Sequence, residues 1–335
     1  MVRLQLGYDL RRAPQSTASH TDLYAAMLDQ CEWADRLGFE YVQIGEHHAS
    51  SDGYASNPIT VCAAIAARTT RIFLRPVVLV PLYDLIRLAE ELMTVDRISA
   101  GRLHPLLAAG YRPEEFEMFD KNLNDRGRAL TAGVELLKRA WSGHEFSHQG
   151  RLVRITPTPH QRPHPLTYLG GMSSGAAKRA ARIGDRFLAG EPGHWATYVA
   201  ECERLGREPG LRDSGGPGFL HVTEDPERAW HQLAPYLLHN AREYETWMKP
   251  TIGRAATMFP PVRDSGDLRR LPSYQVVTPS DCLELARRFE ASNRAMVFLP
   301  LLGGIPPELA WESLKLFERD VLPHLNVHRL GEQPS

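Results

Sequence analysis

Lysine is scarce in this chain, with five in 335 residues. Lys138, Lys178, Lys249 and Lys315 fall in stretches with helical spacing and Lys121 in a charged loop, so no amine stands at a strand end for Schiff-base chemistry. Cysteine is thinner still: Cys31, Cys62, Cys202 and Cys282 are far apart, with no C-x-x-C pair. That argues against disulfides or zinc ligands and for small buried hydrophobes. No apolar run approaches the roughly 18–20 residues that cross a bilayer. The opening MVRLQLGYDL lacks the basic start and sustained apolar stretch of a secretory signal. A soluble, cytoplasmic protein with no membrane partner is expected. Neither sign of charge dominates, the formal net charge being −1, which leaves out a nucleic-acid footprint. No G-x-G-x-x-G opens a β–α–β unit, so a tightly held dinucleotide is not expected. No H-x-H ends the first strand, and Pro163 between His160 and His164 forbids the helix that would align them, so no metal site is expected.

What is present is an alternation of two textures. Short apolar or β-branched runs mark strands at Arg3–Tyr8, Tyr41–Ile44, Ile72–Val78, Leu103–Ala108, Leu166–Leu169, Arg186–Ala189, Gly218–Val222 and Ala295–Leu299. Helical stripes lie between them. Leu23, Met27, Cys31, Ala34 and Leu37 share one face, as do Leu130, Val134, Leu137 and Trp141 behind an Asn124-Asp125 cap. Cys282, Leu285, Ala286 and Phe289 follow a Thr278-Pro279-Ser280 start, and Ala310, Leu314, Phe317 and Val321 follow Pro306-Pro307. Strict alternation implies a parallel sheet, either doubly wound or closed, and eight repeats favour the closed (β/α)8 TIM barrel. Two interruptions are expected: a hairpin around Gly150 within residues 142–165, running into a Pro-rich coil, and a long loop at 250–278 beside the barrel mouth.

Barrel enzymes work at the C-terminal ends of their strands. The second strand ends in Ile44-Gly45-Glu46-His47-His48, a carboxylate and two imidazoles suited to acid–base work near neutral pH. A polar loop with exposed histidines would read the same way. The fifth strand ends in Leu169-Gly170-Gly171-Met172-Ser173-Ser174-Gly175, after which a helix begins. Small residues there let a ligand approach the backbone, and the helix start favours an anion such as phosphate. An ordinary capped turn fits the same residues. So does the G-x-S-x-G elbow of a serine hydrolase, with Ser173 as nucleophile and His221 or His324 as partner, although no oxyanion segment follows an early strand.

Further motifs carry a resemblance over almost the full length. They include Trp33-Ala34-Asp35-Arg36-Leu37-Gly38-Phe39, the Glu46-His47-His48 triplet and Asn57-Pro58. Pro81-Leu82-Tyr83-Asp84, Gly110-Tyr111-Arg112-Pro113-Glu114-Glu115-Phe116 and Asp125-Arg126-Gly127-Arg128 follow in order. Gln161-Arg162-Pro163-His164-Pro165, the Gly170-Gly171 turn and Val321-Leu322-Pro323 complete the set. In this order and spacing the chain resembles the bacterial luciferase-like FMN-dependent monooxygenases.

The resemblance implies one TIM-barrel domain over residues 1–328, with 329–335 a flexible tail. Reduced, dissociable FMN would lie across the barrel mouth, its phosphate at Gly170, Gly171, Met172, Ser173 and Ser174. Its ring would rest near Val77, where the third strand ends in a strained bulge, and near Ala109, Tyr111 and Ala189. Oxygen would add to the reduced ring, and the flavin peroxide would oxygenate a small organic substrate, with His47 as the acid–base group beside Glu46 and His48. A separate flavin reductase would supply FMNH2, and the protein would be a homodimer. The fourth strand departs from the family pattern: His104-Pro105-Leu106-Leu107-Ala108-Ala109 stands where alternating glycines, and in some members an arginine toward the phosphate, are usual. Gly45 and Ala49 also replace larger residues beside the histidine pair. An oxidoreductase using the deazaflavin F420, or a non-catalytic flavin-binding relative, would share these features.

Overall fold

The computed structural model describes residues 1–190, 192–210, 212–213, 215–216, 218–252 and 260–327. Its strands are β1 (Arg3–Tyr8), β2 (Tyr41–Ile44), β3 (Phe73–Leu79), β4 (Leu106–Ala108), β5 (Phe146–His148) and β6 (Arg151–Val153). Then come β7 (Tyr168–Gly171), β8 (Arg186–Ala189), β9 (Gly215–Gly216), β10 (Phe219–Val222), β11 (Tyr274–Val277) and β12 (Ala295–Phe298). The helices are α1 (His20–Leu37), α2 (Pro58–Arg68), α3 (Leu85–Ile98), α4 (Pro113–Met118), α5 (Arg126–Trp141) and α6 (Ser174–Ile183). They continue with α7 (Pro192–Arg204), α8 (Pro226–Ile252), α9 (Ser265–Arg269), α10 (Pro279–Ala291) and α11 (Pro307–Asp320). No helix among the described residues is long and apolar enough to cross a membrane. The chain divides into two compact units, residues 1–56, 68–72 and 214–335 forming the first and residues 57–67 and 73–213 the second.

In the first unit β1 lies between β2 and β12, all parallel, with Leu6 level with Val42 on one side and Phe298 on the other. Leu4 through Tyr8 are all buried, as a parallel strand covered on both faces requires. α1 opens on a capping box in which Ser19 and Asp22 satisfy each other's backbone N–H groups. It closes at Gly38, φ +84°, a left-handed cap that glycine adopts without penalty. Of the predicted stripe, Leu23, Met27, Cys31 and Ala34 are buried and Leu37 is half-buried. Phe298 holds the core together, its ring 5.7 Å from Phe39 and 4.8 Å from Phe317.

The second unit has its own parallel run, β3–β4–β7–β8. Its expected insertion is an antiparallel hairpin, β5 with β6. Gln149 and Gly150, at φ +49° and +73°, make the turn, matching the twist of the flanking strands. The Pro-rich coil that follows is held by the buried Asp96 carboxylate. It accepts from the backbone N–H groups of His160 (2.6 Å) and Gln161 (3.2 Å) and from the Gln161 amide (2.8 Å).

Several expectations need correction. The eight strands are not a closed ring: no ladder among the described residues completes the circle. The expected seventh strand is divided, Gly215–Gly216 pairing with β12 while Phe219–Val222 pairs with β11 in a separate two-stranded sheet. The loop expected at 250–278 contains the end of α8, all of α9 and the strand β11, with 253–259 outside the described residues. The tail at 329–335 also lies outside them. Pro105 cuts the fourth strand to three residues, leaving Leu103 in an isolated bridge with Leu74. Gly170 and Gly171 belong to β7 itself, paired with Leu188 and Ala189, so the turn begins at Met172. The predicted Asn124-Asp125 cap of α5 accepts from no backbone N–H of that helix, though Asp125 Oδ1 accepts from the Arg128 guanidinium (2.9 Å); Asn122 instead caps the short 3-10 turn before it.

Candidate active site

In the triplet that follows β2, Glu46 and His47 are buried and His48 is half-buried, so this is not an exposed polar loop. Glu46 is 2% and His47 6% exposed. Adjacent side chains diverge, and here Glu46 and His48 face each other, Oε1 to Nε2 3.1 Å, while His47 turns into an aromatic wall. Its backbone N–H donates to the Ala55 carbonyl (3.1 Å), which folds the loop after β2 back on itself. The imidazole centroid is 4.8 Å from Tyr54, 4.8 Å from Trp247 and 6.0 Å from Tyr244. The two tyrosine hydroxyls meet at 2.9 Å, joining the loop after β2 to α8. Gly45 makes this packing possible, because a Cβ there would lie 2.1 Å from the Tyr54 hydroxyl oxygen.

Against the same three rings lies a cation. Arg11, in the loop after β1, is 0% exposed, its guanidinium carbon 4.4 Å from the Trp247 centroid, 4.8 Å from Tyr54 and 5.1 Å from Tyr244. Its Nε is 3.5 Å from Asp9 Oδ2 and 3.4 Å from Asp52 Oδ2. Asp9 also accepts from the Arg11 backbone N–H (3.3 Å) and from Asn240 (3.2 Å), and His239 Nε2 is 2.8 Å from Asp52 Oδ2. The two carboxylates are driven apart. Burial pushes Asp9 up to about 6, against the Arg11 charge and backbone bond that hold it down. Burial also works against Asp52, but the hydrogen bond from His239, the Arg11 charge and the Ser50 hydroxyl outweigh it and bring Asp52 down to about 2. The loop is conformationally demanding as well, since Leu10 sits at φ +55°.

Sequence reasoning reached Glu46, His47 and His48 but not Asp9, Arg11, Asp52, Tyr54, Tyr244 or Trp247. The signals were slight: Asp-x-Arg directly after a strand, Asp52 and Tyr54 in the same loop as the triplet, and an i, i+3 aromatic pair on a helix.

The second unit gathers the remaining predicted residues at the C-terminal end of its strands. Ala189 closes β8 opposite Gly171, while Ala109 and Tyr111 follow β4. Val77 lies inside an unbroken β3, level with Leu106 and with no positive φ, so the strained bulge expected there is absent. Gly171 permits α6 to return tightly, since a Cβ there would sit 2.2 Å from that of Ala176. Met172 is half-buried, and Ser173 and Ser174 are exposed. Ser173, at φ −153° and ψ 156°, is relaxed extended backbone and not a strained nucleophile turn; its Oγ caps α6 by accepting from Ala176 N–H (3.1 Å). Two half-buried arginines also meet in this unit. Arg179, on α6, donates to Thr131 Oγ1 (3.1 Å); burial and then the Arg126 charge disfavour its protonated form. Among the described residues no carboxylate pairs with Arg126 or Arg179.

Comparison with known proteins gives this geometry a family. The chain is 29% identical over 170 residues to the oxygenase component of the flavin-dependent trigonelline monooxygenase of Acinetobacter baylyi, covering 48% of this chain and 47% of that protein. It is 27% identical over 167 residues to the FMNH(2)-dependent dimethylsulfone monooxygenase of Pseudomonas putida, covering 46% of each. The chain thus spans about half the length of these curated relatives. The oxygenating constituent of 3,6-diketocamphane monooxygenase from Pseudomonas putida, solved in complex with FMN, superposes with a TM-score of 0.72 at 17% identity, over 98% of this chain and 100% of that one. That likeness supports a TIM-barrel-type fold. The luciferase-like monooxygenase model matches residues 8–266, and this chain belongs to that family.

Proposed function

We propose that this chain is the oxygenase of a two-component flavin monooxygenase, taking reduced FMN from a separate reductase and oxygenating a small organic substrate. The observation that carries the reading is His47, a buried imidazole at a strand end, walled by three aromatic rings, in a chain of this family. Reduced FMN, when bound, supplies the electrons that activate dioxygen, one oxygen atom entering the substrate and the other leaving as water.

The residues present fit such a group in one testable respect, its anionic tail. Ser173 and Ser174 lie exposed at the start of α6, and the Ser173 hydroxyl, accepting from Ala176, keeps its own proton to donate. The exit of the fourth strand, Leu106-Leu107-Ala108-Ala109, carries no charge where some family members place an arginine; Arg126 and Arg179, without carboxylate partners among the described residues, offer positive charge in the same unit. Gly170, Gly171, Met172, Ala189, Tyr111 and Val77 would line the flavin. In the first unit, His47 would hold or release a proton at the reacting atoms, a role worth about 10²–10⁴ in rate. Glu46 and His48 satisfy each other and fix the strand end that presents His47. Tyr54, Tyr244 and Trp247 keep water from the imidazole.

The test is an anaerobic titration of the protein with FMNH2, followed by admission of oxygen. Saturable binding and a transient absorbance distinct from both reduced and oxidised FMN are expected. Tight binding of reduced F420 without FMNH2 would replace the reading with a deazaflavin oxidoreductase. Binding of neither would leave a non-catalytic relative.

A further inference from the structure

The Arg11 guanidinium lies against the three rings that also wall His47. We propose that Arg11 is a positioning residue for His47: its guanidinium braces Tyr54, Tyr244 and Trp247, the rings that wall the imidazole, and holds a fixed positive charge in the same aromatic cluster. This inference rests on the reading of His47 as the acid–base group.

The geometry is specific. Arg11 is fully buried, and among the described residues none of its three side-chain nitrogens has a hydrogen-bond partner, while its guanidinium carbon lies within 5.1 Å of three ring centroids. Leaving buried guanidinium donors unbonded is costly, and a cation–π cage with two carboxylates close to Nε offsets that cost. The loop is tied down on both sides of the side chain. Arg12 N–H donates to the Asp52 carbonyl (2.8 Å), Ala13 N–H to the Gly303 carbonyl (2.9 Å), and Ala55 N–H to the Asp9 carbonyl (2.8 Å). A side chain needed only to fill space would not require a charge held in this way.

Among the described residues, the charged and titratable groups of the Arg11 and His47 cluster include Tyr274 on β11 and groups from three further elements. The loop after β1 gives Asp9 and Arg11, the loop after β2 gives Glu46, His48, Asp52 and Tyr54, and α8 gives His239 and Tyr244. Against burial, Asp52 is held low by the His239 hydrogen bond as well as by the Arg11 charge and the Ser50 hydroxyl, so two of its supports remain without Arg11. Removing the Arg11 charge therefore takes away a repulsion on the imidazolium while the Asp52 carboxylate stays, which favours protonated His47.

The experiment compares wild type, Arg11→Met and Arg11→Lys in the full chain, with the His47 resonance assigned by its loss in His47→Asn. In Arg11→Met the His47 titration midpoint read by NMR should rise by at least about half a pH unit. Turnover should fall at least about tenfold with little change in KM for the organic substrate, and FMN affinity should hold within about twofold. Arg11→Lys, which keeps a cation against the rings, should restore the midpoint and most of the turnover. If Arg11→Met does not fold, Arg11→Gln, neutral but still able to hydrogen-bond to Asp9 and Asp52, carries the same readouts. An unmoved midpoint, or a lysine variant no better than methionine, overturns the proposal. The NMR arm needs no turnover, so a wild type that oxygenates nothing refutes the functional reading while leaving this inference decided by the midpoint.

Discussion

Gly45 and Tyr54 are complementary: the tyrosine hydroxyl occupies the space that a Cβ at position 45 would need, 2.1 Å away. The residue beside the acidic-histidine triplet is therefore a packing requirement of the aromatic wall. Gly45→Ala must displace the Tyr54 ring or the strand end. A loss of about 1–3 kcal/mol in stability is expected, as for overpacked cores, together with a fall in turnover. Thermal melting and steady-state rates check it; a variant as stable and active as wild type would show that the ring moves freely.

His47→Ala should lower substrate oxidation by about 10²–10⁴ while leaving FMNH2 affinity within about twofold. The measurement is single-turnover oxidation with pre-bound reduced flavin. Unchanged turnover removes His47 from the mechanism.

The carboxylates beside Arg11 give stability two opposite pH dependences. Asp9 is raised from 3.8 to about 6 in the folded state, so its favourable contribution is complete below about pH 4 and is lost as pH rises through 6, a change of roughly 3 kcal/mol. Asp52 is lowered from 3.8 to about 2, so its contribution is complete above about pH 4 and is lost as pH falls through 2, roughly 2 kcal/mol. Denaturant midpoints measured from pH 2 to 8 should show Asp9→Asn flattening the decline between 4 and 6. Asp52→Asn should cost stability at neutral pH, a cost that fades toward pH 2.

Arg179→Met should weaken FMN binding at least about tenfold and leave riboflavin, which lacks the phosphate, nearly unaffected. Equal loss for both ligands would show that Arg179 supports the fold and not the anion.

Ser173→Ala should cost about 1 kcal/mol through loss of the α6 cap, read by thermal melting. A serine-directed phosphonate should leave wild type unmodified, because Ser173 lies in relaxed backbone. Covalent labelling at Ser173 would revive the hydrolase.

The elements most legible in the sequence were those set by local chemistry. β1 and β8 carry the residue bounds that their apolar runs predict, and Thr278 caps α10 by accepting from Asp281 N–H, as the Thr-Pro-Ser start implies. Pro105 marked its own interruption of the fourth strand. What escaped depends on pairing across distance. The split of the expected seventh strand is decided by β11, which the charged, Pro-containing stretch around it concealed. Tyr54 and Tyr244 are 190 residues apart and Asp9 and Asn240 are 231, so no window of sequence brings Arg11 to its cage. The triplet could be named as chemistry, while the cation set against its walls could not.

The hairpin in the second unit has a practical use. Nothing lies within 4 Å of where a side chain would begin at Gly150, and Leu152 beside it is 71% exposed, while Asp96 fastens the far end of the insertion. A reporter dye or affinity handle grafted at that tip would be mechanically insulated from the parallel run. The proposed reaction with oxygen could then be tested on a tethered sample through a handle remote from β3, β4, β7 and β8 in strand pairing.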